Sequence, residues 1–240
     1  MYRRVNKMYK GLNIKPPFFE VGPKAFLYGE KMLALAKVID ETAKKYDVDV
    51  IVTPQYTDIK LLADNTERIL VFAQHMDYLE PGRGLGSVLP EAVKAAGAVG
   101  VMLNHAEKPL TLEEIEKTIA RADEVGLATI VCADTVEDVK KIAKMGPNLI
   151  VAEPTDLIGT GQTSDSNYVI ETIKTVNEIN PEIMVLQGAG ISNGQDVYNT
   201  IKLGAQATGT TSGIMKSDRP YEMVEEMLFN LRKAWDELHA

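Results

Sequence analysis

The amino-acid sequence predicts an α/β protein built as a closed (β/α)8 barrel, and three observations support this. Short apolar runs recur along the 240 residues, and a longer amphipathic stretch follows each run. Several runs, such as Ala128–Cys132 and Leu149–Ala152, are apolar at successive positions, which is typical of strands buried on both faces of a parallel sheet. About eight strand-then-helix units follow one another without a linker or low-complexity segment. Residues 1–240 are therefore expected to form a single domain.

Eight segments are predicted as strands because they are rich in Val, Ile and Leu. In chain order they are Lys10–Ile14, Val48–Thr53, Leu70–Ala73, Gly100–Leu103, Ala128–Cys132, Leu149–Ala152, Ile183–Leu186 and Gln206–Thr210. An open, doubly wound sheet is the alternative architecture. Such a sheet more often has fewer strands and a clear Gly-rich first turn, so the count favours the closed barrel.

Helical periodicity marks the segments between the strands. Thr111–Val125 begins with a Thr that is followed three residues later by Glu114, the pattern of a capping box, and it ends at Gly126. Further helices are predicted at Ser166–Ile179, at Tyr221–Leu238 and from Asn193 to Gly204.

The composition excludes several classes of protein. Hydrophobic residues make up 45% and charged residues 25% of the chain, which argues against a disordered or disulfide-scaffold protein, and the net charge of −8 argues against a nucleic-acid partner. Cys132 is the only cysteine, and the three histidines form no HExxH motif, so neither an intrachain disulfide nor a metal site is expected.

No apolar run is long enough for a membrane span. Met1–Lys7 is not followed by the apolar core of a signal peptide, so a cytoplasmic protein is expected.

Polar residues follow several of the predicted strands, at the end of the barrel where this fold places its working residues. Lys15, His105 and Glu153 are predicted to lie there, and Asn13 shares the face of Lys15 by period-two alternation. Each residue alone has a plainer explanation, such as a structural histidine or a surface charge. Their coincidence at one end of the barrel indicates a site.

Two Gly-rich turns follow the seventh and eighth predicted strands. Gly188–Ser192 and Thr210–Gly213 lie where this fold commonly binds phosphate through backbone N–H groups. Gly159 and Gly161 follow Glu153-Pro154 and would allow a loop to close as a lid.

The candidate residues suit one kind of chemistry. A carboxylate in a closed apolar site can act as a general base, a neutral imidazole can polarise a carbonyl, and an ammonium group can stabilise an oxyanion. The residues therefore predict proton abstraction next to the carbonyl of a small sugar phosphate, a reaction that needs no cofactor.

Longer segments of the chain resemble one known family, the triosephosphate isomerases, and in particular their short archaeal type. The resemblance runs over most of the chain from about Asn13 onward, and LNHAE followed by EPTDLIGTG is its most specific signal. The matching segments are Asn13–Lys15, Pro81–Glu107, Glu124–Cys132, Ala152–Gly161 and Gly188–Ser192.

The resemblance implies a role for each candidate residue. It implies Lys15 as the electrostatic residue, His105 as the electrophile and Glu153 as the base. Glu107 is expected to position these groups without contacting the substrate. It also implies a homo-oligomer, either a dimer or a tetramer, that isomerises a triose phosphate in glycolysis and gluconeogenesis. The implied substrate contacts are Asn13, Ile158, Gly159, Gly190, Ser192, Thr211 and Ser212.

The sequence departs from the family pattern in three places. About seven extra residues follow Lys15 before the first helix, within the stretch Pro16–Glu30, where an insertion could reshape the pocket. Ala106 stands where the family typically has Ser, and Leu85 stands in a loop where a Thr often reaches the neighbouring subunit.

These departures leave two alternatives open. One is an isomerase of the same mechanism that acts on a different or larger sugar phosphate. The other is a barrel that binds a phosphorylated ligand without catalysis, although such a protein would be free to lose Lys15, His105 or Glu153.

Overall fold

The computed structural model describes residues 8–240, which form a closed barrel of eight parallel strands. Each strand pairs with the next along the chain, and the first pairs with the last, with Phe18 beside Ala207. The predicted fold class is therefore confirmed. The strands are β1 (Phe18–Val21), β2 (Asp49–Val52), β3 (Leu70–Ala73), β4 (Gly100–Leu103), β5 (Ala128–Ala133), β6 (Leu149–Ala152), β7 (Met184–Gln187) and β8 (Ala207–Thr210).

Helices surround the barrel, and most of them connect one strand to the next. In chain order they are α1 (Gly29–Tyr46), α2 (Ile59–Ala63), α3 (Pro90–Ala95), α4 (Leu112–Val125), α5 (Val136–Ala143), α6 (Ser166–Ile179), α7 (Gly194–Lys202), α8 (Ser212–Met215) and α9 (Pro220–His239). Short 3₁₀ turns lie at Tyr56–Asp58 and Thr155–Leu157. None of the helices between residues 8 and 240 is long and apolar enough to cross a membrane.

The barrel has two apolar layers because side chains alternate between the faces of each strand. Phe19 and Val21 point outward from β1 and join the core between strands and helices. Phe18 points inward and packs with Ile51 and Phe72 in the barrel interior. The interior is therefore a packed core, and ligands can reach only its ends.

The prediction of the first strand is wrong. Lys10–Ile14, which lies within the described part of the chain, forms no strand, and β1 is instead Phe18–Val21. Leu12 and Ile14 do alternate with polar residues, but they lie outside the sheet. Both pack against the apolar residues of the barrel interior. Glu20 interrupts the apolar run of β1. The apolar pattern therefore does not predict this strand, although all four of its residues are buried.

Residues 8–17 cross the amino end of the barrel, opposite the loops that follow the strands. The Lys15 backbone N–H donates to Asp49 at the start of β2 (2.9 Å). The Asn148 side chain donates to the Tyr9 carbonyl (2.7 Å) just before β6. This segment therefore closes the bottom of the barrel.

The remaining predicted elements are confirmed, with small differences at their ends. The other seven predicted strands agree with the observed ones to within two residues at either end. The Thr111 side chain accepts from the Glu114 N–H and the Glu114 carboxylate accepts from the Thr111 N–H, so the capping box exists, and Gly126 ends α4 with φ +76°. The expectation about Met1–Lys7 lies outside the described residues.

We expect Asp40→Ala to lower the free energy of unfolding by roughly 2–4 kcal/mol. Asp40 of α1 is buried, and its Oδ1 accepts backbone N–H groups of Glu67, Arg68 and Ile69 before β3. Burial raises the pKa of Asp40, but the Lys44 ammonium and these N–H groups outweigh it, so the pKa lies below its ordinary value. The stabilisation is therefore present above the unfolded-state pKa of about 3.9 and is lost as the pH falls through the folded-state pKa.

Urea unfolding at pH 7 and at acidic pH measures this effect. Glu41→Ala is the matched control, because Glu41 also binds Lys44 but is exposed. It should change stability by no more than about 0.5 kcal/mol. Equal effects of the two substitutions would contradict the role of Asp40.

Candidate active site

A cavity of about 650 Å³ opens at the carboxyl end of the barrel. Its size is that of a typical small-molecule site. The loops after seven of the eight strands supply its walls, and inward-facing strand residues such as Cys132, Val151 and Leu186 supply its floor. The cavity therefore lies where a (β/α)8 barrel places its chemistry.

Glu153 follows β6 and lies over the turn after β7. Its Oε1 accepts the Ala189 backbone N–H (3.0 Å). A Cβ atom added at Gly188 would lie 2.9 Å from Glu153 Cβ, so the glycine provides the space for this side chain. Burial raises the pKa of Glu153, while the bond from Ala189 and the charge of Lys24 oppose the rise. A carboxylate with a raised pKa is a stronger base than an exposed one.

His105 follows β4, in a loop held by Asn104. The Asn104 amide donates to the Cys132 carbonyl and accepts the Leu110 N–H, both at 2.9 Å. His105 Nδ1 accepts the Glu107 backbone N–H (3.0 Å), which assigns the proton of the neutral ring to Nε2. Burial lowers the pKa of His105, and the nearby Lys24 lowers it further. The ring is therefore a neutral hydrogen-bond donor at pH 7.

Lys24 follows β1 and is the lysine that the barrel brings to His105 and Glu153. Its Nζ contacts Glu107 Oε1 at 2.6 Å, and its side chain is only 23% exposed. Its backbone has φ +48°, a conformation that non-glycine residues hold only when their surroundings enforce it. The side-chain amides of Gln55 (2.7 Å) and Gln74 (2.9 Å) donate hydrogen bonds to the Lys24 carbonyl, and these bonds hold the backbone in this conformation.

The loops after β7 and β8 form the wall beside Glu153. Gly190, with φ +71°, packs so tightly that an added Cβ atom would lie 2.0 Å from the Gln162 carbonyl oxygen. Thr211 and Ser212 border the cavity at the start of α8. The Gly213 N–H donates to Thr210 Oγ1 (3.2 Å), which in turn donates to the Ile191 carbonyl (2.6 Å), so the two loops are tied together.

Most of the predicted site residues border this one cavity. Ser192 lies just behind it, where its hydroxyl donates to the Gly190 carbonyl (3.1 Å). The residues that border the cavity are His105, Glu107, Glu153, Ile158, Gly159, Gly190, Thr211 and Ser212.

The placement of Asn13 and Lys15 at the barrel mouth is wrong. Both precede β1 rather than follow it, both are exposed, and Lys15 is bonded to Asp49 at the opposite end of the barrel. The error follows directly from the misplaced first strand. The inferred insertion after Lys15 is also wrong, because Pro16–Glu30 contains β1 and an ordinary loop that leads to α1.

The sequence reasoning missed four charged residues in the cavity wall, Lys24, Glu20, Lys108 and Lys216. The signal for the first two was the run FFEV followed by Gly-Pro-Lys, in which a short strand ends three residues before a lysine. Lys216 follows the short helix α8, and its only signal was its closeness to the eighth strand.

Comparison with known proteins places the chain in a family. The family model described as triosephosphate isomerase matches residues 24–227. The chain belongs to the triosephosphate isomerase family. A triosephosphate isomerase of Sulfurisphaera tokodaii is 40% identical over 227 residues, which cover 93% of this chain and 99% of the relative. A triosephosphate isomerase of Sulfolobus acidocaldarius is 37% identical, with 93% and 98% covered.

The comparison of structures agrees with this family at the level of fold. A triosephosphate isomerase of Bartonella henselae superimposes with a TM-score of 0.73 at 15% identity, covering 93% of this chain and all of the other. Membership of the triosephosphate isomerase family makes this chain an isomerase of the aldose–ketose type. Among residues 8–240, no group of three or more His, Cys, Asp or Glu side chains could hold a metal ion.

Proposed function

We propose that this member of the triosephosphate isomerase family interconverts dihydroxyacetone phosphate and glyceraldehyde 3-phosphate. The observation that carries the proposal is that Lys24, His105 and Glu153, a cation, a neutral donor and a buried base, border one cavity together with two glycine-containing loops. This set supplies each group that an enediolate mechanism needs. The relatives named above are triosephosphate isomerases, which supports the same substrate.

The substrate phosphate would bind at the loops after β7 and β8. Backbone N–H groups near Gly190 and Ser212 border that side of the cavity, and Lys216 supplies a positive charge beside them. Lys24 faces the same space from β1. These groups give a local positive potential in a chain whose net charge is −8.

Glu153 would remove a proton from the hydroxyl-bearing carbon of dihydroxyacetone phosphate and return it to the neighbouring carbon. The electron pair of the broken C–H bond forms a carbon–carbon double bond, and the π electron pair of the carbonyl moves to its oxygen, which gives an enediolate. His105 Nε2–H and the Lys24 ammonium then stabilise that oxygen. His105 Nε2 would give its proton to that oxygen and take the proton of the neighbouring hydroxyl group, so the proton passes from one oxygen to the other. The carbon–oxygen double bond then re-forms at the first carbon, and the carbon–carbon double bond takes the proton from Glu153, so the enzyme ends in its starting state.

A coupled assay with each triose phosphate tests the proposal directly. We expect turnover in both directions and competitive inhibition by 2-phosphoglycolate, an analogue of the enediolate. Tetrose and pentose phosphates, assayed in parallel, should react far more slowly. Negligible turnover of triose phosphate would reject the proposal, and faster turnover of a longer sugar would replace it with the isomerase of a larger substrate.

The position of β1 removes one reason for choosing a larger substrate, since the stretch after Lys15 that was counted as an insertion contains the first strand of the barrel. A barrel that only binds its ligand is disfavoured because His105 and Glu153 have the buried environment and the hydrogen bonds that catalysis needs.

The proposed assembly and location rest on the family alone. A homo-oligomer, a dimer or a tetramer, acting in the cytoplasm would suit a glycolytic enzyme of this kind. Leu85, at the tip of the loop after β3, is fully exposed in the single chain and is a suitable contact for another subunit. Light scattering measures the number of subunits.

A further inference from the structure

Glu20 is a buried carboxyl group that the mechanism above does not use. It lies on the inward face of β1, between Phe18 below it and Gly22 above it, and its side chain is only 8% exposed. It borders the same cavity as Lys24, His105 and Glu153. A charged side chain is rarely buried in a strand without a partner or a function.

Two glycines provide the space that the Glu20 carboxyl occupies. A Cβ atom added at Gly22 would lie 3.0 Å from Glu20 Oε1 and 3.2 Å from Thr211 Oγ1. One added at Gly209 of β8 would lie 2.9 Å from Glu20 Cβ and 3.0 Å from Oε2. Side chains at either position would press on the carboxyl, so its place beneath the cavity depends on both glycines.

One oxygen of the carboxyl is bonded and the other is open. Oε1 accepts a hydrogen bond from the hydroxyl of Thr53, which follows β2 (3.0 Å), while no donor among residues 8–240 is hydrogen-bonded to Oε2. Burial raises the pKa of Glu20 to about 8; the Thr53 bond and Lys24 oppose the rise, and the charge of Glu153 adds to it. At pH 7 the group is therefore mostly a neutral acid whose O–H is free to donate.

The groups that face Glu20 come from several elements. Glu153 after β6 and Lys24 after β1 carry charge, whereas Thr53 after β2 and Thr211 after β8 do not titrate. Cys132 of β5 has a pKa well above its ordinary value because it is buried and lies near both carboxylates, so it stays a neutral thiol. Ionised Glu20 would add a second negative charge beside Glu153 and would repel an anionic ligand.

We propose that Glu20 determines specificity by donating a hydrogen bond, as an uncharged acid, from the floor of the cavity to an oxygen of the substrate's carbon chain. The inference rests on the proposed sugar-phosphate function and deepens it. A buried donor aimed at a ligand oxygen selects for that oxygen, because a ligand without it leaves the donor unpaired. The preferred ligand is therefore hydroxylated or carbonyl-bearing at the end far from the phosphate.

Two variants separate this role from a structural one. Glu20→Gln keeps a hydrogen-bond donor but never ionises, and Glu20→Met keeps the approximate length without either property. Binding of glycerol 3-phosphate and of n-propyl phosphate, which lacks both of its hydroxyl groups, would be measured by calorimetry at pH 7. We expect the wild type and Glu20→Gln to prefer glycerol 3-phosphate, and Glu20→Met to lose roughly tenfold or more of that preference.

The pH profile and infrared spectra provide readouts that folding alone would not move. Glycerol 3-phosphate binding to the wild type should weaken above pH 8, and Glu20→Gln should remove this dependence. The infrared carbonyl band of a protonated acid should shift when the ligand binds, be absent in Glu20→Gln and persist in Glu153→Gln. Asp123→Asn, which changes a carboxyl with a raised pKa at the amino end of the barrel, is the matched control and should behave as the wild type.

The inference is overturned if folded Glu20→Met keeps the wild-type preference, or if Glu20→Gln keeps the wild-type pH profile. These binding measurements do not require turnover. Absence of triose phosphate isomerisation would therefore reject the proposed reaction while leaving the role of Glu20 to be decided by the binding results.

Discussion

Glu153→Gln is expected to lower kcat for triose phosphate by roughly 10²–10⁴-fold, the range for loss of a general base. The amide oxygen can still accept the Ala189 N–H that Glu153 Oε1 accepts now (3.0 Å), so the turn after β7 should keep its position. The amide cannot take the proton from the substrate carbon. Binding of n-propyl phosphate should therefore change little while turnover collapses.

Steady-state kinetics and calorimetry on the same preparation check this result. Glu182→Gln is the matched control, because it removes an exposed carboxylate that pairs with Lys10 at the amino end of the barrel (2.8 Å). It should leave kcat within about twofold of the wild type, as expected for an exposed pair. If Glu153→Gln retained most of the wild-type turnover, the proposed base would be wrong.

The barrel was predictable from the sequence because most of its strands are buried on both faces. A strand such as Leu149–Ala152 is apolar at every position and is buried at every position. Its pattern therefore directly predicts a strand that is covered on both faces. The first strand was not predictable in this way. Its Glu20 is inside the barrel, where two glycines distant in sequence provide space, and no local pattern reveals such an arrangement.

The site was predictable where the strand ends were predictable. His105 and Glu153 follow strands whose ends were assigned correctly, and the structure brings both to the cavity. Lys15 was assigned by its spacing from Asn13 in a segment that forms the bottom of the barrel. A lysine after a short apolar stretch does not specify which end of the barrel it occupies, since that depends on strand pairing over long separations in sequence.

Lys24→Met and Lys15→Met test that reassignment as a pair. Lys24 Nζ lies 2.6 Å from Glu107 Oε1 in the cavity wall. Its charge lowers the pKa of His105, of Glu153 and of Glu20. Removing it eliminates the cation that the proposed mechanism uses at the developing oxyanion, so kcat/KM should fall by roughly 10²–10³-fold, the loss typical of an oxyanion donor. Lys15 is exposed at the other end, and Lys15→Met should change kcat/KM by less than about twofold.

Both variants must be folded for the comparison to hold, and the surroundings of each lysine indicate that they will be. Glu107 is 64% exposed, so water can solvate its carboxylate when Lys24 is gone. The Gln55 and Gln74 amides bind the Lys24 carbonyl rather than its ammonium, so they hold the backbone in either case. Lys15 bonds Asp49 through its backbone N–H, which methionine retains. A larger loss in Lys15→Met than in Lys24→Met would return the electrostatic role to Lys15.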